Sequence, residues 1–332
     1  MTSPSDKSPR RHSLVALGGD ISGAFGDLGT LLPYVIAGIG LGVLAPGPVF
    51  LGFAAGYLLV ALLYRAPIAV QPMKALGAVI LTGGLTAAET ALAGALLGLV
   101  LLALAATPLL GRAARALPQS VVTGLQAGLG LMLASLALEM MATGWWLALP
   151  AMALLALSWV WPRGPWALVV ILVAVVLAPG EAQPLASATA VIGEGLSLAA
   201  VAGGVLAQLP LTLLNAVVVA AHYRFGARSV IAPLAIAAAC ALAALQAEAV
   251  VAWLAAIPVP VVGALLAFAG VELMLSKRLF DARPDCRPVI AVTAVATLFG
   301  SALVGLAAGL ASEQLRRHLV RRRARGTPHD RG

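Results

Sequence analysis

An all-α, polytopic membrane protein with about 12 membrane elements is the fold class this sequence predicts, and three observations predict it. Of 332 residues, 61% are hydrophobic and only 10% are charged, far below the quarter or so of charged residues that keeps a soluble domain solvated. Uncharged stretches such as Thr90 to Gly111, Ala116 to Leu138, Met140 to Pro162, Gly195 to Tyr223 and Ala249 to Val271 are long enough to cross a hydrocarbon core of about 30 Å as helices. They lack strand alternation, so helices are the form in which they can satisfy their backbone in lipid. Finally, every Lys and Arg except Lys74 falls in one of seven clusters at alternate hydrophobic boundaries, while Glu89, Glu139, Glu181 with Glu194, and Glu248 mark the boundaries between. That is the positive-inside pattern, and it places both termini in the cytoplasm of an inner-membrane protein. The net charge of +8 is thereby explained by contact with anionic lipid, and nucleic acid is not an expected partner.

Taken in order, residues 1–13 read as a cytoplasmic tail, because no small-residue cleavage site follows Lys7, Arg10 and Arg11. Residues 14–180 hold seven elements, near Leu14 to Gly40, Pro46 to Tyr64, Pro67 to Gly83, Ala87 to Leu110, Leu117 to Leu138, Trp145 to Trp161 and Pro165 to Ala178. An external loop, 181–197, leads to a shorter second half, 198–312, with spans near Leu198 to Ala221 and Val230 to Leu245 and a helix from about Ile257. Pro288 to Ser312 has basic residues on both flanks, so it reads as a hairpin of two short helices about Gly300, a single span being the weaker alternative. Residues 313–332 form a basic cytoplasmic tail.

Ala116-Leu-Pro-Gln-Ser-Val-Val-Thr-Gly-Leu-Gln-Ala-Gly-Leu-Gly130 aligns without gaps to Ala256-Ile-Pro-Val-Pro-Val-Val-Gly-Ala-Leu-Leu-Ala-Phe-Ala-Gly270. The first leaves the basic side after Arg115 and the second leaves the acidic side after Glu248, which predicts an inverted-topology repeat. Chance likeness among Ala, Leu, Val and Gly is the competing explanation. If Leu117 to Leu138 is the fifth element of the first half, the second half lacks two crossings before its counterpart.

Candidate chemistry concentrates in the third element. Pro67 and Pro72 prevent a continuous helix there, so a half-helix beginning near Pro72 should present unpaired N–H groups and the positive end of its dipole to a cavity. Lys74 adds a full charge at membrane depth, where a lone cation is costly unless it meets a polar cavity or counter-ion; pairing with Asp27 for structural reasons is the plainer alternative. Asp27 and Thr30 supply polar atoms in a Gly-rich first helix. Gln126, Gln208 and Asn215 are neutral polar groups within spans, and interhelical hydrogen bonding is their commonest role. Glu272 reads equally as a coupling residue or a surface acid beside Lys277. Cys240 and Cys286 sit apart in unlike surroundings, so neither a disulfide nor a metal is expected. No His cluster or Ser and Lys pair recurs inside the spans, and an enzyme is disfavoured.

Gly26-Asp-Leu-Gly-Thr-Leu-Leu-Pro33, Val70-Gln-Pro-Met-Lys74, Leu117-Pro-Gln-Ser-Val-Val122, Gln208-Leu-Pro-Leu-Thr-Leu-Leu-Asn215 and the Gly263 to Leu273 helix resemble the molybdate transporter family related to sulfate permeases. The resemblance implies a seven-plus-seven inverted repeat, with substrate held between two facing half-helices and no cofactor. It implies that Gln71 and Lys74 meet the oxyanion and that Asp27, Thr30, Gln208 and Asn215 line the same cavity. The implied function is secondary transport of molybdate or a similar tetrahedral oxyanion. Alternatives are a sulfate, nucleobase or organic-anion permease of the same fold, or a degenerate, non-transporting membrane protein. A homodimer is left open as the assembly.

The sequence departs from the family at the second half-helix. The family's Met-Pro-x-Cys-His-Gly-Ala-Gly-Gly stretch is absent, and Ala221-His-Tyr-Arg-Phe-Gly-Ala-Arg228 follows directly on Asn215-Ala-Val-Val-Val-Ala220. The expected result is an unbroken helix from Asn215 to Arg228 and impaired transport.

Overall fold

The computed structural model of the chain describes residues 28–66, 70, 73–82, 85–161, 166–177, 197–215 and 229–326. Among these, the regular elements are helical: α1 (Leu28–Gly40), α2 (Pro46–Tyr64), α3 (Lys74–Leu81), α4 (Ala87–Ala105), α5 (Leu109–Ala116), α6 (Gln119–Ala142), α7 (Trp145–Val160), α8 (Trp166–Leu177), α9 (Leu198–Asn215), α10 (Ile231–Leu245), α11 (Ala247–Ala255), α12 (Val259–Met274), the short α13 (Lys277–Phe280), α14 (Arg287–Phe299) and α15 (Ala302–Gly326). The expected unbroken helix from Asn215 to Arg228 falls on residues 216–228, outside the described ones.

Local chemistry sets the ends of these helices. Proline in the first turn of α2 costs no hydrogen bond there, and α2 stops at Arg65, whose left-handed backbone (φ 50°) turns its N–H back to the Ala61 carbonyl at 3.2 Å. At the start of α4, Thr86 and Glu89 form a reciprocal capping box. Glu89 Oε1 also accepts the Ser197 N–H at 2.7 Å, which ties the start of α4 to the residue preceding α9.

By length and composition α2, α4 and α6 can each cross a membrane, and α10 with α11, bent by 91°, forms a fourth candidate. The other apolar helices run 10–17 residues. Only 22% and 17% of the apolar windows of α2 and α4 are buried, against 67% for α6, so α2 and α4 offer Leu58, Leu59, Leu62, Leu99 and Leu102 outward. In water such faces would drive aggregation, whereas in lipid they are solvated. The chain is an all-helical membrane protein.

The core centres on α6 and α12, which pack antiparallel. Both begin on an extended proline, Pro118 (φ −67°, ψ 125°) and Pro258 (φ −62°, ψ 140°). A Cβ at Gly130 would stand 2.6 Å from the Gly270 carbonyl oxygen, and one at Gly270 would stand 2.9 Å from that of Gly130. Glycine is thus required on both sides of the crossing, as small residues permit close helix approach. The two segments aligned in the sequence meet each other, and their matched final glycines are the point of contact.

Helices α14 and α15 break at Gly300 and Ser301 and fold back on each other, with Gly305 against Thr297 and Gly309 against Thr293. The Pro288 to Ser312 stretch is therefore a hairpin. Helix α15 runs on past residue 313 to Gly326, so the start of the basic stretch expected as a cytoplasmic tail is helical. Its reason is Glu313, buried at 3% exposure, whose carboxylate accepts from Ser120 Oγ at 3.0 Å, Arg316 Nε at 2.9 Å and Nη2 at 2.7 Å, and Arg317 Nε at 2.8 Å. Arg316 Nη1 continues the cluster to Asp285 at 2.6 Å. These donors hold the Glu313 carboxyl well below the usual range, at about 2.

Candidate functional site

Of the third element the structure describes α3, eight residues long, beginning at Lys74 after Met73; Pro67 and Pro72 lie outside the described residues. Met73 provides no side-chain cap, so the first-turn N–H groups must find an acceptor elsewhere. That acceptor is Gln208 on α9. Its Oε1 accepts from the N–H of Ala75 at 3.0 Å and of Leu76 at 3.1 Å. Its Nε2 donates to Thr212 Oγ1 at 2.9 Å, and Thr212 Oγ1 in turn donates to the Gln208 carbonyl at 3.2 Å. Gln208 is 6% exposed, so this amide is spent within the protein. The expectation of free N–H groups at the head of the half-helix is corrected for Ala75 and Leu76: a neutral side chain from α9 occupies them.

Lys74 is half-buried at the head of α3. No carboxylate lies within ion-pair distance of it among the described residues. Lys74 and Gln208 are the two expected site residues that the described fold brings to one place. Gln71 and Asp27 lie outside the described residues. Thr30 falls within α1 and Asn215 ends α9, but their side chains are outside the description. Gln126 is buried in α6 at 7% exposure, with its Oε1 unpartnered among the described residues. Glu272 is exposed in the last turn of α12.

On another face of α3 lies a cavity of about 330 Å³, bounded by Tyr34 of α1, Val49 and Phe53 of α2, Met73 and Gly77 at α3, and Thr90 of α4. Tyr34 packs so closely on α3 that a Cβ at Gly77 would stand 2.7 Å from its ring. The hydroxyls of Tyr34 and Thr90 are buried without a hydrogen-bond partner among the described residues, a costly state unless something else fills it. Sequence reasoning passed over Tyr34, Thr90 and Thr212. The spacing of Gln208 and Thr212, four apart in an apolar helix, was a readable signal, since such pairs share a face. Tyr34 and Thr90 carried none, being single polar residues whose convergence depends on tertiary packing.

The class defined by this fold is thus a helical membrane protein with a short helix, α3, headed by a cation. Comparison with known proteins gives it a narrower setting. Residues 19–133 match the family described as molybdate transporter of the MFS superfamily. That stretch reaches from the first helix into α6 and includes Lys74. The chain is also 35% identical, over 130 residues, to molybdate transporter 2 of Arabidopsis thaliana, an alignment covering 37% of this chain and 27% of that protein.

Proposed function

We propose that this chain is a carrier, not an enzyme, and performs secondary transport of molybdate or a similar tetrahedral oxyanion. The observation that carries the reading is the match over residues 19–133, because it includes the interrupted helix and Lys74, the features that physical chemistry independently marks for an anion. In this reading Lys74 and Gln71 meet the oxyanion at the head of α3, Asp27 and Thr30 line the cavity from the first helix, and Gln208 and Asn215 face it from α9. Gln126 and Glu272 serve packing or coupling.

The finer architecture is proposed as an inverted repeat of the sulfate and nucleobase permease type, with α6 and α12 as equivalent helices and two crossings lost between Asn215 and His222. The matched glycines and proline starts of α6 and α12 support that equivalence. The shortened second half favours a second reading, a non-transporting relative that retains only binding or assembly. Holding an anion from one side forgoes two or so charge-assisted hydrogen bonds at about 1.5 kcal/mol each, or an affinity loss on the order of a hundredfold. Competition tests the substrate class: in proteoliposomes, tungstate and sulfate should reduce molybdate uptake and uracil should not. Competition by uracil alone would reassign the chain to nucleobases.

A further inference from the structure

We infer that Gln208 is a built-in competitor for the anion, a positioning residue that caps α3 in the empty carrier and must swing away before an oxyanion can use the same donors. The inference rests on the transport reading and changes the part Gln208 plays in it, from ligand to gate.

The N–H groups of Ala75 and Leu76 are the second and third donors of α3, and such groups point out of a helix toward anything bound at its N-terminus. Both are taken by one oxygen, Gln208 Oε1, at 3.0 and 3.1 Å. An oxyanion cannot hydrogen-bond to them while that oxygen stays. In a membrane an empty half-helix cannot leave such donors bare, because no lipid group satisfies them. Gln208 removes that cost in the empty state. The exchange favours the anion when it arrives, since hydrogen bonds to an ionised acceptor are roughly twice as strong as those to a neutral amide, and Lys74 stands beside the same donors. Thr212 holds the other end of the amide through Nε2 at 2.9 Å, so it sets how readily the cap releases. A separate observation points to a ligand at this end of α3. The 330 Å³ cavity reaches Met73, the residue that precedes the helix, and is lined also by Tyr34, whose hydroxyl is buried and unpartnered among the described residues.

The sign of a substitution decides the matter. Molybdate and tungstate binding to the purified full chain in detergent should be measured by calorimetry and by the shift in melting temperature, for the parent, Gln208→Ala, Gln208→Glu, Thr212→Val and Lys74→Ala. Gln208→Ala should melt lower without ligand and bind about tenfold more tightly. Gln208→Glu should melt higher and bind more weakly, because a carboxylate caps α3 better and repels the anion. Thr212→Val keeps the cap oxygen but loosens it, and should tighten binding by a smaller factor; it also carries the test if Gln208→Ala does not fold. Weaker binding in Gln208→Ala or Thr212→Val, with the parent binding and Lys74→Ala not, would overturn the gate and leave the transport reading intact. If no variant binds either oxyanion, both fall.

Discussion

At the scale of single residues, two polar side chains decide most of what distinguishes this protein from a bundle of apolar helices. Gln208 completes a helix that has no cap of its own, and Glu313 anchors α15 to the start of α6. Glu313 makes a testable contribution. Its carboxyl is held down to about 2 by Arg316, Arg317 and Ser120, from an ordinary value of 4.5. A carboxylate whose folded value is depressed stabilises the fold above its unfolded value, and that contribution fades as pH falls from about 4.5 toward 2. Glu313→Gln should therefore destabilise the protein at pH 7 by on the order of 2 kcal/mol, the scale of lost hydrogen bonds to a charged group. Melting curves of parent and variant should converge as pH is lowered through that window. A gap that stays constant from pH 7 to pH 3 would show that Glu313 acts through packing alone. The sequence offered a hint, since Glu313 stands three and four residues before Arg316 and Arg317, but the donor from Ser120 lies 193 residues away and only the fold supplies it.

At the scale of elements, close packing of α6 on α12 makes glycine obligatory where the helices cross. Gly130→Ala should cost about 1–3 kcal/mol, the range for overpacking a tight contact, because its new Cβ would stand 2.6 Å from a backbone carbonyl that cannot turn aside. Gly98→Ala in α4 is the control: nothing lies within 4 Å of its Cβ position, so it should be neutral or slightly stabilising through helix propensity. Thermal melts in detergent check the pair, and equal effects would refute the close contact. Much of this level was legible in the sequence. Apolar runs and prolines located α2, α6, α7, α8 and α10, and the start of α9, to within a few residues, and the two basic flanks foretold the hairpin at Gly300. The helical form of the basic stretch after Glu313 was not legible, because the buried contacts that hold Glu313 come from the fold. The end of α10 was readable from Glu248, but the 91° turn into α11 was not, since Gln246 is neither Gly nor Pro.

At the scale of the whole molecule, charge placement predicts the orientation that helix packing alone leaves open. The alternation of basic and acidic boundaries predicts that cysteines placed at positions 113, 163 and 282 react only with cytoplasmic reagent, and those at 183 and 248 only with external reagent. External labelling at 163 would invert the topology and with it the side from which α3 is reached. Of the candidate site, Lys74 could be read as a single cation in an apolar chain and the start of a short helix as following Pro72, while the acceptor that fills the helix end came from a helix 133 residues away. The central claim, that Lys74 and the head of α3 serve an oxyanion in transit, is tested most directly by radiolabelled molybdate uptake into liposomes containing the purified chain. The account predicts saturable uptake by the parent, loss in a well-folded Lys74→Ala variant, and poor recovery in Lys74→Arg, whose planar fork differs in hydration and shape. Uptake by Lys74→Ala equal to that of the parent would contradict it.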